Sequence, residues 1–495
     1  MQSQFKNLFK HSVIYGLGVL STKLVGFVLI PLYTGVFTLK EFGIISLLEI
    51  TTTFIITLAS MSIYSGFFRW YYDKDAENKQ KSLFFTVSIF QLLIVVVVYG
   101  IIFLNIDKLT VAILKDIEYK QIFNYMVISA LLQVLVIMPT TLLRLQEKSW
   151  LFSLSNFIQL FIVLSLTVYL VAFKRIGIIG IYYGQIVGSV FMILFLLRYS
   201  LKNIQIKFES KLLKQILIYC FPLMFSGLAL TILNITDRFT INYYATTADV
   251  GLYSYGFKIA NVLQVFVVTS INFAIQPIMF QMIDKPNNKE FYSQLMTYYV
   301  LVVMFIGFCI MIFGREIAML FALNPDYYSA WTIIPFIIFA IVFGVMRDSM
   351  ATTGLSITKK TAIIAFIAIF VAVLNIVLNI VLVPVLVNSG AAIAKLLSMI
   401  ISAVMVFIAS QKFFKINYQY KNITVILLSA LVLYLISMPV NSLKIFPSIL
   451  IKTCIVAFYI LILFLFKIVK IEDVKKAKEY VANLIKPSKR HLNNT

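Results

Sequence analysis

Several ionisable residues fall inside stretches of the sequence that are otherwise apolar, among them Lys23, Lys258, Arg347 and Glu49. An ionised side chain at membrane depth costs several kcal/mol unless it faces protein or water, so each is a functional candidate. The cations predict an internal cavity for an anionic substrate, and Arg69, at the end of another apolar stretch, is a further candidate. Three roles are open for Glu49. It pairs with a cavity lysine, or it makes a helix–helix hydrogen bond, or it carries a coupling proton, because apolar surroundings favour a protonated carboxyl group.

Several of these charges have a structural interpretation as well. Arg347 is followed by Asp348, and the two form either a cavity site or a structural pair near the membrane interface. Arg69 is either a cavity cation or a residue that only fixes membrane orientation. Lys395 lies near the predicted outer end of its apolar stretch, so we expect it to snorkel toward the lipid headgroups.

These residues are embedded in apolar runs long enough to cross a bilayer. Of the 495 residues, 61% are hydrophobic and 13% are charged, whereas soluble chains carry about 25% charged residues. Backbone amides in hydrocarbon must be satisfied within their own segment, so the runs predict helices. We expect an all-α integral membrane protein with about fourteen transmembrane helices. The predicted spans are 12–37, 42–68, 83–104, 122–143, 151–173, 178–198, 215–236, 250–276, 293–313, 330–351, 361–384, 391–411, 422–440 and 449–467.

The distribution of positive charge predicts the orientation of the chain. The net charge of +22 comes from Lys and Arg in short loops, a placement that membrane orientation explains better than nucleic-acid binding. Most of these residues fall on the side of both termini, which we therefore expect in the cytoplasm. Arg238 is assigned to a loop on the opposite side. Residues 471–495 form a basic tail, either an amphipathic helix on the inner membrane surface or a loosely ordered segment.

The chain contains an internal repeat. Gly43 and Gly251 match at an offset of 208 residues, and Gly180 and Gly390 match at an offset of 210. An even number of spans per repeat predicts two six-helix lobes that enter the membrane from the same side, as in parallel-repeat transporters. A central cavity between the lobes is expected, and a duplicated scaffold without a cavity is the alternative. The predicted domains are 1–205 (N-lobe), 206–415 (C-lobe), 416–470 (two extra helices) and 471–495 (cytoplasmic tail).

Metal, redox and cofactor chemistry is not indicated. Cys220, Cys309 and Cys454 are scattered through apolar segments, and His11 and His491 lie near the termini, so we expect neither disulfides nor a metal site. No nucleotide-binding P-loop is found and no cofactor is expected. The short loops lack the acid–base or metal-ligand sets that a glycosyltransferase or polymerase needs.

Several motifs occur in an order and spacing that resemble a known family. Over about residues 10–412, the chain resembles the Wzx-type polysaccharide flippases of the multidrug/oligosaccharidyl-lipid/polysaccharide (MOP) exporter superfamily. The motifs are Pro31-Leu-Tyr-Thr, Phe42-Gly43, Phe221-Pro222, Asp237-Arg238-Phe239, Val250-Gly251-Leu-Tyr253-Ser254, Thr358-Lys359-Lys360-Thr361, Leu374-Asn375-Ile-Val-Leu-Asn379 and Gly390-Ala-Ala-Ile-Ala394.

The resemblance implies a transporter, not an enzyme. Such proteins flip undecaprenyl-diphosphate-linked oligosaccharides from the inner to the outer leaflet of the bacterial cell membrane. The implied partners are this lipid-linked glycan and membrane lipids, and other membrane proteins of polysaccharide assembly are candidate partners. Lys23 and Lys258 are similar to cavity cations on the first and eighth helices of lipid II flippases of the same superfamily, with Lys in place of the more common Arg.

Two related functions remain as alternatives. One is a cation-coupled multidrug exporter of the MATE type, and the other is a lipid II flippase. Exporters of the first kind usually use membrane-buried acids, whereas the first span contains no Asp or Glu and its buried charge is Lys23. That charge favours an anionic substrate. The sequence does not indicate the source of energy.

Overall fold

The computed structural model describes residues 26–73, 77–283, 285–358 and 360–469. Within these ranges the chain forms helices and short connections, without a β-strand. Twelve of the described helices are long and apolar enough to cross a membrane, and one shorter apolar helix precedes them. Lys23 and the basic tail lie outside the described residues.

The helices are labelled in chain order. The first eight are α1 (Gly26–Val36), α2 (Leu39–Ser60), α3 (Ile63–Trp70), α4 (Gln80–Leu104), α5 (Ile106–Leu114), α6 (Ile117–Leu145), α7 (Ser149–Phe173) and α8 (Ile179–Lys202). The others are α9 (Ser210–Tyr244), α10 (Thr247–Val262, continued through a π-helical turn, Leu263–Val268, into Thr269–Gln281), α11 (Asn288–Ile312), α12 (Gly314–Phe321), α13 (Pro325–Ser356), α14 (361–386), α15 (388–413), α16 (Tyr420–Ser442) and α17 (Ile445–Leu465).

Val387 divides the longest apolar stretch, Thr361–Phe413, into α14 and α15. Its φ of 48° and ψ of −118° are not helical. This break separates the predicted spans 361–384 and 391–411. With these two helices counted separately, the prediction of an all-α membrane protein with about fourteen spans is confirmed.

The second predicted span is broken into α2 and α3. Met61 and Ser62 adopt left-handed conformations, with φ of 45° and 54°, between the two helices. Other helices satisfy the carbonyl groups that the break frees: Gln91 Nε2 donates to Ala59 O at 2.6 Å, and the Cys220 thiol donates to Ser62 O at 3.3 Å. Buried partners of this kind permit irregular backbone in a membrane protein.

The chain forms two compact units. The first comprises Met1–Ile283 and Gly314–Lys415, and its described part contains α1–α10 and α12–α15. The predicted N-lobe (1–205) falls within this unit, whereas residues 284–313 of the predicted C-lobe (206–415), which include α11, belong to the second unit. The division between the lobes at residues 205 and 206 remains a prediction. We refer to α1–α8 as the first half of the unit and to α9, α10 and α12–α15 as the second half.

The second unit comprises Asp284–Phe313 and Ile416–Thr495, and its described part contains α11, α16 and α17. Tyr459 holds these three helices together. Its hydroxyl donates to Ile426 O at 3.1 Å, and its ring centroid lies 4.6 Å from that of Phe308.

In the first unit, α2 and α10 begin with the same capping arrangement. The side chains of Thr38 and Thr246 accept from the backbone amides of Glu41 and Asp249. In return, the carboxylates accept from the backbone amides of the two threonines, at 2.9 and 3.0 Å. This reciprocal cap fixes where a helix begins. The caps are 208 residues apart, so the repeat in sequence is also a repeat in local structure.

The two halves contact each other at the end where α2 and α10 begin. The Tyr327 hydroxyl donates to Phe37 O at 2.8 Å, and Thr34 Oγ1 donates to Phe321 O at 3.1 Å. The Phe42 ring packs edge-on against Tyr327, with centroids 5.5 Å apart. These contacts hold the halves together at this end of the unit.

Candidate functional site

An ion pair joins the two halves. Lys258 Nζ of α10 lies 2.8 Å from Glu49 Oε1 of α2. The Lys258 side chain is 16% exposed and the Glu49 side chain is 41% exposed, so the carboxylate is the more accessible partner. The ammonium also lies 5.3 Å from the ring centroid of Phe42.

The capping arrangement explains why these two residues meet. Each lies about three helical turns, or about 17 Å, beyond the capping threonine of its own helix. The caps are Thr38 for α2 and Thr246 for α10. Because the two helices begin at the same end of the unit, Glu49 and Lys258 reach the same depth.

A cavity of about 210 Å³ adjoins this pair. It lies between the halves, because α1 and α2 form one wall and α10 forms the other. Lys258 and Glu49 are its charged lining residues in the described chain. Its other lining residues include Gly26, Phe27, Ile30, Asn261 and Val265. The ammonium is therefore bordered by apolar side chains and one amide.

The pair can bind an anion by an exchange of partners. Glu49 neutralises Lys258, which lowers the cost of holding an ammonium among apolar groups. A phosphate oxygen in the cavity can replace the carboxylate, because lysine binds phosphate as a point charge without a fixed geometry. The observed distance agrees with the prediction that Glu49 pairs with a cavity lysine. A role for Glu49 in carrying a proton remains a prediction.

Arg69 does not border this cavity. It is exposed near the end of α3, and its guanidinium lies 4.8 Å from the ring centroid of Tyr219 and 5.2 Å from that of Trp70. Stacking on two aromatic rings holds a guanidinium without a carboxylate. Its role as a substrate-binding cation remains a prediction.

Arg347 lies at a different cavity, within the second half. Its Nη2 is 2.7 Å from Asp348 Oδ1, so the neighbouring residues form a pair. The cavity has a volume of about 470 Å³ and lies between α9, α13, α14 and α15. The structure thus brings Lys258 and Glu49 together and places Arg347 apart from them. Substrate binding by Arg347 remains a prediction.

A second ion pair, which the sequence pattern does not predict, is buried inside the second half. Lys395 Nζ of α15 lies 3.1 Å from Asp237 Oδ2 of α9. The Tyr253 hydroxyl donates to the same oxygen at 2.8 Å, and Asn379 Nδ2 donates to Asp237 Oδ1 at 3.3 Å. Helices α9, α10, α14 and α15 therefore meet at one carboxylate whose charge is balanced.

Two expectations from the sequence are wrong at this network. Lys395 does not snorkel, because Asp237 gives its ammonium a partner inside the protein. Arg238 does not lie in a loop, because α9 continues to Tyr244, beyond the predicted end of its span at residue 236. The guanidinium of Arg238 is buried, and its Nε donates to Ser254 Oγ at 3.0 Å.

The sequence carried one signal of this network. Asn375 and Asn379 are four residues apart, so they share one face of α14. Asn375 Nδ2 donates to Ser398 Oγ at 3.1 Å, and Asn379 Nδ2 donates to Asn375 O at 2.9 Å. Two amides on one face of an apolar helix predict polar partners within the protein, because lipid offers none.

The match to a protein family covers much of the first unit. Residues 8–283, more than half of the chain, match the family described as polysaccharide biosynthesis protein. The chain belongs to this family. Residues 222–381 of this polysaccharide biosynthesis family member also match the MatE family model. No curated protein is significantly similar to it in sequence.

Several solved flippase and transporter structures have the same fold. The lipid II flippase MurJ, in an inward closed conformation, superimposes with a TM-score of 0.71 and 15% identity over 93% of this chain and 100% of MurJ. An inward-facing MATE family transporter of the MOP superfamily superimposes with a TM-score of 0.64 and 15% identity, over 80% of this chain and 93% of the transporter. A mutant of the Vibrio cholerae MATE transporter VcmN superimposes with a TM-score of 0.57 and 15% identity, over 83% of this chain and 97% of VcmN. The polysaccharide biosynthesis family member therefore has the fold of MOP superfamily transporters.

Proposed function

We propose that this protein flips undecaprenyl-diphosphate-linked oligosaccharide from the inner to the outer leaflet of a bacterial cell membrane. One observation carries the proposal. The ammonium of Lys258 lies on the wall of a cavity between the two halves, and its partner Glu49 is accessible to that cavity. A site of this kind suits an anionic group that must be bound and then released.

The surroundings of Lys258 suit an amphiphile rather than a free anion. Phe27, Ile30 and Val265 line the same cavity as the ammonium. Ligand sites commonly combine apolar walls with a few polar groups that fix orientation. A diphosphate placed at Lys258 would keep its first isoprene units against these side chains, and the remainder of the polyprenyl chain would extend into lipid.

Transport would proceed by alternating access between the halves. The contacts of Tyr327 with Phe37 and of Thr34 with Phe321 hold the halves together at one end. When a diphosphate replaces Glu49 at Lys258, the ion pair between α2 and α10 is lost. The halves would then separate at this end, which the positive charge of the loops predicts to be the outer side.

A cation-coupled drug exporter is less well supported. In the described residues of the second half, Asp237 is the buried acid, and Lys395 neutralises it. Tyr253 and Asn379 also donate to its two oxygens. Both oxygens of this carboxylate are engaged by internal donors, so neither is open to a cationic drug. A lipid II flippase would use Lys258 in the same way and would differ in the glycan.

The experiment is glycan export in bacterial strains that lack their own flippase. Strains with different repeat units receive the wild-type gene, Lys258→Met or Lys108→Met, where Lys108 is an exposed lysine of α5. We expect the wild type and Lys108→Met to restore surface glycan and Lys258→Met to fail at equal abundance. Restoration by Lys258→Met would contradict the proposed role of the ammonium. Failure of the wild type in every strain, including one that lacks its lipid II flippase, would contradict the function.

A further inference from the structure

A second cavity, of about 320 Å³, lies within the first half and adjoins the Lys258 cavity. Its walls come from α1, α2, α6, α7 and α8. Gly26 and Glu49 line both cavities, so the two share a wall at this point. Any group bound beside Lys258 is therefore next to this second cavity.

Three glutamine side chains line the second cavity: Gln133, Gln159 and Gln185. Ser129 fixes two of them, because its hydroxyl donates to Gln185 Oε1 at 2.9 Å and accepts from Gln133 Nε2 at 3.2 Å. In the described part of the chain, Gln133 Oε1, Gln185 Nε2 and the whole amide of Gln159 have no protein partner. Polar groups in apolar surroundings are costly unless they are hydrogen-bonded.

Two hydroxyl groups of the same cavity also lack a partner. Thr167 and Ser189 line it, both are fully buried, and within the described residues neither hydroxyl oxygen makes a hydrogen bond. Ser and Thr in helices commonly donate to the carbonyl group four residues earlier. Thr51, Thr86 and Thr110 of this protein do so. Of the buried hydroxyl groups that lack a partner among the described residues, those of Thr167 and Ser189 line this cavity.

The packing of α7 against α8 fixes the shape of this wall. A Cβ atom on Gly184 would lie 2.7 Å from Thr167 Oγ1, and one on Gly188 would overlap the Val163 side chain. Only glycine at these two positions lets the helices approach this closely. Glycines four residues apart are a common means of close helix packing in membranes. The cavity is thus built by the fold and not left by loose packing.

We propose that this cavity binds the first sugar of the substrate, the one bonded to the diphosphate. The inference rests on the proposed function, because the diphosphate must occupy Lys258. A glutamine amide offers one donor group and one acceptor group, as a sugar hydroxyl or acetamido group does. Leu160 and Ile181 supply apolar surface for a ring face.

The electrostatics of the cavity select a neutral sugar. Glu49 is its charged lining residue in the described chain, and Lys258 engages that carboxylate. The carboxylate of a uronic acid would therefore have no cation to bind in this cavity. It would also be repelled by Glu49 once the diphosphate had displaced Glu49 from Lys258. The subsite fits a hexose or an N-acetylhexosamine without a carboxylate.

The test compares lipid diphosphates with and without a sugar. Purified full chain in lipid nanodiscs is titrated with undecaprenyl diphosphate, undecaprenyl-diphosphate glucose and undecaprenyl-diphosphate N-acetylglucosamine. We expect at least one sugar-bearing probe to bind about tenfold more tightly than undecaprenyl diphosphate, as two or three net hydrogen bonds would give. Gln159→Leu and Gln185→Leu should bring this ratio close to one without changing the affinity for undecaprenyl diphosphate. Gln294→Leu, an exposed glutamine of α11, should keep the ratio.

The outcomes separate the two proposals. If the wild type binds all three probes equally, or if both glutamine variants keep the wild-type ratio, the sugar subsite is overturned while diphosphate binding stands. If the wild type binds none of the probes, the proposed function fails and the subsite fails with it. If Gln159→Leu does not fold, Gln159→Asn, which only shortens the amide, should lower the same ratio.

Discussion

Gly43 and Gly251 face each other across the boundary between the two halves. A Cβ atom on Gly43 would overlap Thr247 O and lie 3.1 Å from Gly251 N. A Cβ atom on Gly251 would overlap Leu39 O and lie 3.1 Å from Gly43 N. The contact is reciprocal, as at a two-fold symmetric interface. Gly251 lies 208 residues after Gly43, and Thr247 lies 208 residues after Leu39. The matching glycines of the repeat are therefore the point where α2 and α10 cross.

A side chain at this crossing should keep the halves apart. We expect Gly43→Ala and Gly251→Ala to reduce glycan export strongly, because the added methyl group meets backbone atoms that cannot move aside. Gly100→Ala on α4 is the control, since nothing lies within 4 Å of the added Cβ. Export by Gly43→Ala at the level of Gly100→Ala would show that this close crossing is not needed.

The same end of the unit offers a direct reporter of closure. A Cβ atom on Gly35 would lie 3.4 Å from Leu323 Cβ, close to the distance of about 3.5–4.5 Å in a disulfide. After replacement of the three native cysteines, Gly35→Cys with Leu323→Cys should cross-link readily under oxidation and block export until a reductant is added. Addition of Gly251→Ala should slow cross-linking. Unhindered export by the cross-linked protein would contradict opening at this end.

The buried pair in the second half should contribute to stability. Lys395→Met leaves Asp237 without its counter-charge, which costs about 3–5 kcal/mol for buried pairs in general. The double variant Asp237→Asn with Lys395→Met removes both charges and should recover much of that loss. Thermal unfolding of the purified variants in detergent would measure both effects. A double variant no more stable than Lys395→Met would show that charge balance is not the reason for the pair.

Val387 should be replaceable by glycine with a gain in stability. Its φ of 48° and ψ of −118° disfavour a β-branched residue, whereas glycine adopts this region readily. We expect Val387→Gly to raise the free energy of unfolding by about 1 kcal/mol, because the backbone strain that it relieves exceeds the entropy that glycine adds to the unfolded chain. Val377→Gly, within α14, should lower it by a similar amount because glycine is a poor helix former. Destabilisation by Val387→Gly would contradict the account of this break.

Glu49→Gln should separate binding from turnover. Removal of the carboxylate frees the Lys258 ammonium, so undecaprenyl diphosphate should bind several-fold more tightly. Export should fall, because no internal group would compete for the ammonium when the substrate leaves. Titration of the purified variant and the export assay measure the two effects. Weaker binding by Glu49→Gln would show that Glu49 contacts the substrate favourably and does not compete with it.

Hydropathy and charge predicted the class of the protein, because long apolar runs have few alternatives to membrane helices. The repeat offset predicted which residues are equivalent in the two halves. It did not predict that Gly43 and Gly251 touch, since equivalence does not reveal how the halves pack. The pairing of Lys395 with Asp237 was missed because depth along one span says nothing about partners on other helices. The break at Met61 was missed because its neighbours, Ser60 and Ser62, are neither glycine nor proline, the residues that most clearly mark a helix break.

Lys258 is proposed to bind the diphosphate in exchange for Glu49. The affinity of the protein for undecaprenyl diphosphate tests this proposal most directly. Purified full chain in nanodiscs is titrated as wild type, Lys258→Arg, Lys258→Met and Lys108→Met. We expect wild type, Lys258→Arg and Lys108→Met to bind with similar affinity. Lys258→Met should bind at least about tenfold more weakly, as loss of a charge-assisted hydrogen bond to phosphate requires. Equal affinity of Lys258→Met and the wild type would contradict the claim.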